Sequence, residues 1–578
     1  MKKLITALLA LTTVFGTVGG FSACGRAEGE KFDEKKSHLY IGIYNAGYGD
    51  EYAKDLKARF EAFYATESFE AGKTGVQVHI SDVAQGNALV DKIAVSTAAE
   101  VFFTSNLDYY QYVDRGLVLN IDDVVTDKLN KYGENSSIED RMDKNVADFY
   151  KTDNGYYAVP YVASYSGMAM NVDLFEEKEL YFAKGGCPSE YLRTNSACDP
   201  ALEGEWDESM YVFTGKGEKS AGPDGKYGTS DDGEPATYEE FFAFCEHCYD
   251  SDVQAFHWPG KYDWTFSQPM IQMIADYEGA EQMALNYSFK GTAKSLIQVD
   301  EDGTVTKLPD TEITSATGYK LAQQAGKYYV LDFVEKLLQN KKYYNEGLSL
   351  KNKAHTHRDA QTDFVAGGHL PKQKEIALLV DGEWWWNEAQ PSFDTVATYT
   401  NGKYTAENRR FKMLSFPKAT NEKVGDPFTV LIDSTSVCAI NASIPSSKIK
   451  MAKEFVKFAF TNASNLQFTK LTSCARPFDY EYSDGYLEGL NYFQKSVVET
   501  YAKASECFVG SKSKLYIYNS FDFFNMENFW ATKIGNSDFD MPVTAFARNG
   551  KTAIEYFNGL QKVKNKENWD YEYSRYYE

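Results

Sequence analysis

The 578-residue chain is poor in basic residues. Its 60 Lys and Arg face 83 Asp and Glu, for a net charge of −23. A surface of that sign repels phosphate backbones, so nucleic acid is excluded as a partner. Long hydrophobic runs are missing beyond residue 18, and no later segment has the ~20 apolar residues of a spanning helix. Catalytic signatures are missing as well: there is no G-x-S-x-G elbow, no H-E-x-x-H and no P-loop. No internal repeat is found. Eight cysteines in a chain this long cannot form a mini-protein scaffold. What is plentiful is aromatic: Tyr 42, Phe 38 and Trp 8 make 15% of the residues, and Tyr is as frequent as Gly. Either the core is unusually aromatic or some rings face a ligand.

The N-terminus carries an address. Lys2 and Lys3 precede the apolar stretch Leu4–Val18, which is too short to span a bilayer. Small residues follow, then Phe21-Ser22-Ala23-Cys24. This resembles a bacterial lipobox, with Phe21 where Leu is usual. The resemblance implies that residues 1–23 are a removed signal peptide and that Cys24 is lipidated. Two acyl chains would hold the protein stably at the extracellular face of the membrane. Residues 24–37 are polar and read as a flexible tether. An ordinary secretory peptide cleaved nearby is the alternative.

Cys245-Glu-His-Cys248 is a C-x-x-C, but both thiols fall on an apolar helical stripe with Tyr238, Phe241, Phe242 and Tyr249. They are expected in the core, since no second pair completes a zinc set. Cys187 and Cys198 flank a short polar loop, where a disulfide would stabilise by ~2–3 kcal/mol.

Along the chain, strand and helix signals alternate. Strands are expected at 38–44, 76–80 and 101–104, with helices at 50–67 and 87–99 between them. That rhythm implies an α/β fold with a mostly parallel sheet. Further strands are expected at 155–160, 165–171, 375–380 and 429–440, and a helix at 448–460. Residues 183–236 are rich in Gly, Asp and Ser and look like an insertion. From Thr237, a candidate cap, helices dominate, and helix-period aromatics mark the last 90 or so residues.

Three segments carry a family resemblance. They are Gly155–Tyr161 running on to Met168–Phe175, Ile376–Trp385, and Val430–Val437 followed by Ala452–Phe458. In this order they resemble the extracellular solute-binding proteins of carbohydrate ABC importers, the maltose-binding-like group. The resemblance implies a two-lobe, periplasmic-binding-protein-like α/β fold with a hinge, a ligand cleft and a helical C-terminal tail. Crossings are placed near Pro160, Glu375 and Asp433. Lobe one is then 38–160 plus 376–432, and lobe two is 161–375 plus 433–578, with the insertion 183–236.

A sugar site needs flat rings for C–H faces and fixed polar groups for hydroxyls. The candidates from lobe one are Asn45 and Tyr48 past the first strand, with Trp384 and Trp385 after Gly382. Those from lobe two are Tyr161, Trp258 and Trp264, and Ser434 and Thr435 stand at a crossing. Core packing is the competing role for every ring. In the insertion, Gly222–Gly233 offers carboxylates from Asp224, Asp231 and Asp232, with Lys226 and Thr229 supplying further oxygens. This could hold a structural Ca2+, or be a solvated turn. His355-Thr-His357 with Asp359, Asp363 and His369 hints at a transition metal. Two histidines two residues apart cannot share a helix face, so a polar segment is expected there.

The expected protein is a monomeric, lipid-anchored extracellular receptor that binds a carbohydrate and delivers it to an ABC transporter permease. It requires no cofactor and catalyses nothing. The alternatives are a secreted carbohydrate-active enzyme with two facing carboxylates, and a receptor for another solute such as a peptide.

Overall fold

Ser37–Ile43 is buried along nearly its whole length, the pattern of a central strand covered on both faces. In the computed structural model it pairs in parallel with Val76–Asp82 and Val101–Thr104. The helix Glu51–Phe63 makes the first crossover and buries Ala53, Leu56 and Phe60. The described residues are 31–577 apart from 85, 87, 90–98, 189–210, 480, 520–532, 535–536 and 539. The expected helix 87–99 therefore lies largely outside them, as do the signal peptide, Cys24, most of the tether, and Cys198 with its expected bond to Cys187.

The first sheet has five strands, in the order Val76–Asp82, Ser37–Ile43, Val101–Thr104, Val437–Ile440, Ala158–Pro160. A second sheet of four runs Phe411–Met413, Ser166–Asn171, Ile376–Gly382, Gln254–His257. These pairings correct the expected lobe boundaries. Ile376–Gly382 lies antiparallel to Ser166–Asn171 and parallel to Gln254–His257, so 376–432 belongs to lobe two. Val437–Ile440 lies antiparallel to Val101–Thr104, so the chain from 437 through the helix Asn462–Thr472 belongs to lobe one. An apolar strand string fits either sheet, and only its partners decide which.

The chain crosses between the lobes at Tyr161–Tyr165, at Asp433–Ser436 and again beyond Thr472. The crossings are bonded side by side. Tyr161 N donates to Ser436 O (3.1 Å), Asp433 N to Ala163 O (3.0 Å), and Ala163 N to Ala475 O (2.9 Å). Beyond the third crossing the chain returns to lobe two, where Ser505–Phe508 pairs with Thr429–Ile432. Near the end, the Trp569 indole is buried and donates to Ser315 O at 2.7 Å, docking the helical tail.

Thr237 caps its helix, accepting from Glu240 N at 3.2 Å. Cys245 and Cys248 are buried in that helix, and burial pushes both thiols well above their usual range. Among the described residues no helix is long and apolar enough to cross a membrane.

Candidate functional site: a cleft between the lobes

The loop after the first strand is folded by its own asparagine. Asn45 Oδ1 accepts from Gly47 N and Gly49 N, both at 3.1 Å, so its amide shapes the turn. Gly47 and Gly49 have φ of 91° and 74°, where a side chain would be strained. The turn directs Tyr48 toward the hinge, where its hydroxyl lies 3.2 Å from Ser164 Oγ. The same loop touches lobe two: Asn387 Nδ2 donates to Gly47 O at 3.4 Å. A Cβ on Gly47 would sit 3.0 Å from Trp384 Cδ1.

Past Ile376–Gly382, the six-membered ring of Trp384 lies against Gly382, and a Cβ there would come within 2.2 Å of it. Trp385 and Trp386 turn the other way. Trp385 is fully buried, edge-on to Phe364, Phe411 and Phe493 at 5.4 Å each, and Trp386 stacks on Phe493. Trp385 is thus a core residue and not a cleft residue. The same correction applies to Trp258. It follows its strand into the interior, fully buried against Phe256, Phe266 and Tyr344, although Pro259 and Gly260 do end the element. Tyr161 is buried behind Tyr48, edge-on at 6.1 Å, and supports the wall without lining it. Trp264, the first residue of the helix Trp264–Ser288, is 47% exposed.

Between the lobes lies a cavity of about 930 Å³, within the range of ligand sites. Lobe one lines it with Tyr44, Tyr48, Asn106, Asp108 and Tyr110, and lobe two with Trp264, Gln268 and Trp384. Ser434 and Thr435 line it too, with their hydroxyls already engaged. Ser434 Oγ lies 2.6 Å from the Tyr516 hydroxyl, and Thr435 Oγ1 donates to Asp433 at 2.9 Å. Asp433 therefore brings the charge at this crossing. Asn106, Asp108, Tyr110 and Gln268 were not singled out in the sequence, and Asp433 was placed at a crossing but not in the site. The signal for Asn106–Tyr110 was available, because they follow the end of Val101–Thr104, where α/β folds place ligands. Burial holds the Asp108 carboxyl above its usual range.

Beneath the cleft, buried Glu383 clasps the hinge. Its carboxyl accepts from Tyr165 N (3.4 Å) and Ala475 N (3.3 Å). Burial pushes its pKa up to about 8. Burial and then Glu388 push Asp381 up to about 7, and its carboxyl accepts from Gln361 Nε2 at 2.9 Å.

In the insertion, the carboxylates that were candidates for Ca2+ fold their own loop. Asp224 Oδ1 accepts from Lys226 N (2.8 Å), Asp231 Oδ1 from the Thr229 hydroxyl (2.7 Å) and Asp232 Oδ2 from Gly228 N (2.7 Å). Burial, then the Asp231 charge, raises the Asp224 carboxyl.

The sequence model of a family described as bacterial extracellular solute-binding protein matches residues 64–485. Among solved structures, the maltose-bound MalE3 of T. maritima is 13% identical, with 91% of this chain and 99% of that one covered and a TM-score of 0.51. The cyclic alpha-maltosyl-1,6-maltose binding protein of Arthrobacter globiformis is 10% identical, with 93% and 100% covered and a TM-score of 0.50. A structure from work on xylan utilization by Caldanaerobius polysaccharolyticus is 12% identical, with 91% and 100% covered and a TM-score of 0.50. At such identities the likeness is one of fold, the two-lobe fold with a cleft. No curated protein matches the chain.

Proposed function

Because the chain belongs to the bacterial extracellular solute-binding proteins, we propose that it is a receptor whose solute is a carbohydrate, held between the lobes. The observation that carries this reading is the lining of the cleft. Indoles from Trp264 and Trp384 and phenols from Tyr44, Tyr48 and Tyr110 stand beside Asn106, Gln268 and Asp433. Flat apolar rings suit sugar C–H faces, and the amides and carboxylate suit hydroxyls. The solved structures that share the fold are described with maltose, a maltose-derived ring and xylan, which supports a sugar for this cleft as well.

A sugar that touches rings of both lobes does so only when they are closed. It therefore shifts the open–closed balance by its differential affinity. The closed shape is what an ABC permease would read. Cys24, with its acyl chains, would keep the receptor at the membrane. The sugar leaves unchanged, so the cycle asks no chemistry of the cleft. Calorimetric titration of the chain from Cys24 onward with oligosaccharides, with recovery of the sugar, tests this. Saturable binding with intact sugar is expected. Cleavage products would make the protein an enzyme, and a response to peptides alone would change the ligand class.

A further inference from the structure

In lobe two, away from the cleft lining, two buried histidines converge on one carboxylate. His257 ends the strand Gln254–His257, His355 precedes the helix His357–Ala366, and Asp363 lies within that helix. Among the described residues this is the only group of three His, Cys, Asp or Glu side chains whose ligand atoms all lie within 4.8 Å of one another. His355 Nε2 is 3.0 Å and His257 Nε2 3.5 Å from Asp363 Oδ2. Tetrahedral zinc with bonds of about 2.0–2.1 Å sets its ligand atoms roughly 3.4 Å apart. The two histidine rings lie 5.1 Å apart, and both present Nε2 to the same oxygen, Asp363 Oδ2. His257 is fully buried, and its Nε2 has only the long 3.5 Å contact with Asp363 Oδ2, short of a well-formed hydrogen bond. A buried atom so weakly satisfied costs free energy, and a cation between the three groups would use it better.

From these contacts we infer that His257, His355 and Asp363 bind a divalent transition metal of the Zn2+ class, with a water completing the set. The donors select the ion, since two imidazoles and one carboxylate favour zinc over calcium or magnesium. The supporting contacts fit. Ser349 Oγ donates to Trp258 O at 3.0 Å and lies 3.2 Å from His257 Nδ1. It can accept the Nδ1 proton, which leaves Nε2 bare toward the metal. Gln254 Nε2, 3.0 Å from the same Nδ1, favours the other tautomer, so the metal decides between them. The Asp363 side chain is 18% exposed and gives the ion a way in. Once bound, the metal ties the strand end to the helix. It also braces the 258–263 loop, which is held at Lys261 N to His355 O (3.0 Å) and leads to Trp264. The apparent H-x-H of the sequence is not the site, because His357 turns to Glu388 instead, at 3.7 Å.

The test uses EDTA-stripped protein titrated with Zn2+ by calorimetry, with Co2+ as a spectroscopic stand-in. The expected result is one ion per chain, a raised melting temperature and the strong visible bands of a low-symmetry Co2+ site. His355→Gln and Asp363→Asn abolish all three. Ser349→Ala weakens binding by roughly 10–100-fold. Failure of the wild-type protein to bind Zn2+ saturably overturns the assignment, as does binding unchanged in both ligand variants. Should either variant fail to fold, the wild-type Co2+ spectrum decides, and the weak bands of hexa-aquo Co2+ would overturn the site.

Discussion

Two strand ends of lobe two, His257–Trp264 and Gly382–Trp386, hold five of the eight tryptophans, and each sends a single indole to the cleft. Trp264 and Trp384 line the cavity, while Trp258, Trp385 and Trp386 are buried. The difference lies in what each ring packs against. Both cleft indoles stand where a helix begins: Trp264 is the first residue of Trp264–Ser288, and Trp384 is the N-cap of Trp385–Glu388. Yet Trp385 also opens its helix, and its ring, like that of Trp386, turns into the core of Phe364, Phe411 and Phe493, while Trp258 continues its strand inward. At a strand end, what the ring packs against, more than where the next helix starts, decides which indole meets a ligand.

The comparison breaks most visibly at the core members. Trp385→Ala should destabilise the fold by about 3–5 kcal/mol, read as a large fall in denaturant midpoint, and Trp258→Ala should behave alike. If either variant melts normally but loses ligand, the buried–cleft division is wrong. Next come the cleft indoles. Trp384→Ala and Trp264→Ala should leave melting nearly unchanged and cost roughly 10–100-fold in sugar affinity, the loss expected for unburying one large ring. A smaller effect is expected at Gly382→Ala. Its Cβ would push the Trp384 ring out of place, lowering affinity about tenfold with Trp384 itself intact; unaltered binding would show that the ring's seat is immaterial.

A separate effect, read on stability and not on affinity, concerns the hinge beneath Trp384. Glu383 titrates near 8 in the fold against an ordinary 4.5, so the folded state holds a proton that the unfolded chain has lost. Stability should therefore fall as pH rises from about 4.5 to about 8. Glu383→Gln should flatten that slope without abolishing it, because Asp381 acts in the same sense up to about 7. Thermal melts across this range check it, and an unchanged slope in the variant would remove Glu383 from the account.

Much of the fold was legible because apolar strings and helical stripes report burial directly. Leu39, Ile41 and Ile43 in the first strand and Ala452, Phe455 and Val456 in a later helix are buried as their spacing implies. The lobe boundaries were not legible, since Ile376–Gly382 reads the same whichever sheet receives it. In the site, Trp384, Trp264 and Tyr48 could be found from strand-end and loop positions. Gln268 could not, because a polar side chain becomes a cleft residue only through the packing of distant elements; Asp433 was marked as a crossing, but its place in the lining was not. The convergence of His257 on His355 and Asp363 was hidden for the same reason: about a hundred residues of chain separate them. In the 222–233 loop, the Asp and Gly pattern suits both a cation loop and a self-bonded turn, and the sequence alone does not choose between them.

The central claim is that a sugar lies between the lobes against Trp264 and Trp384. Its most direct test is calorimetric titration of the wild-type, Trp384→Ala and Trp385→Phe proteins with one panel of oligosaccharides. The account predicts saturable binding of an intact sugar by the wild-type and Trp385→Phe proteins and strong weakening in Trp384→Ala. Equal binding by all three, or no response to any sugar, would contradict it.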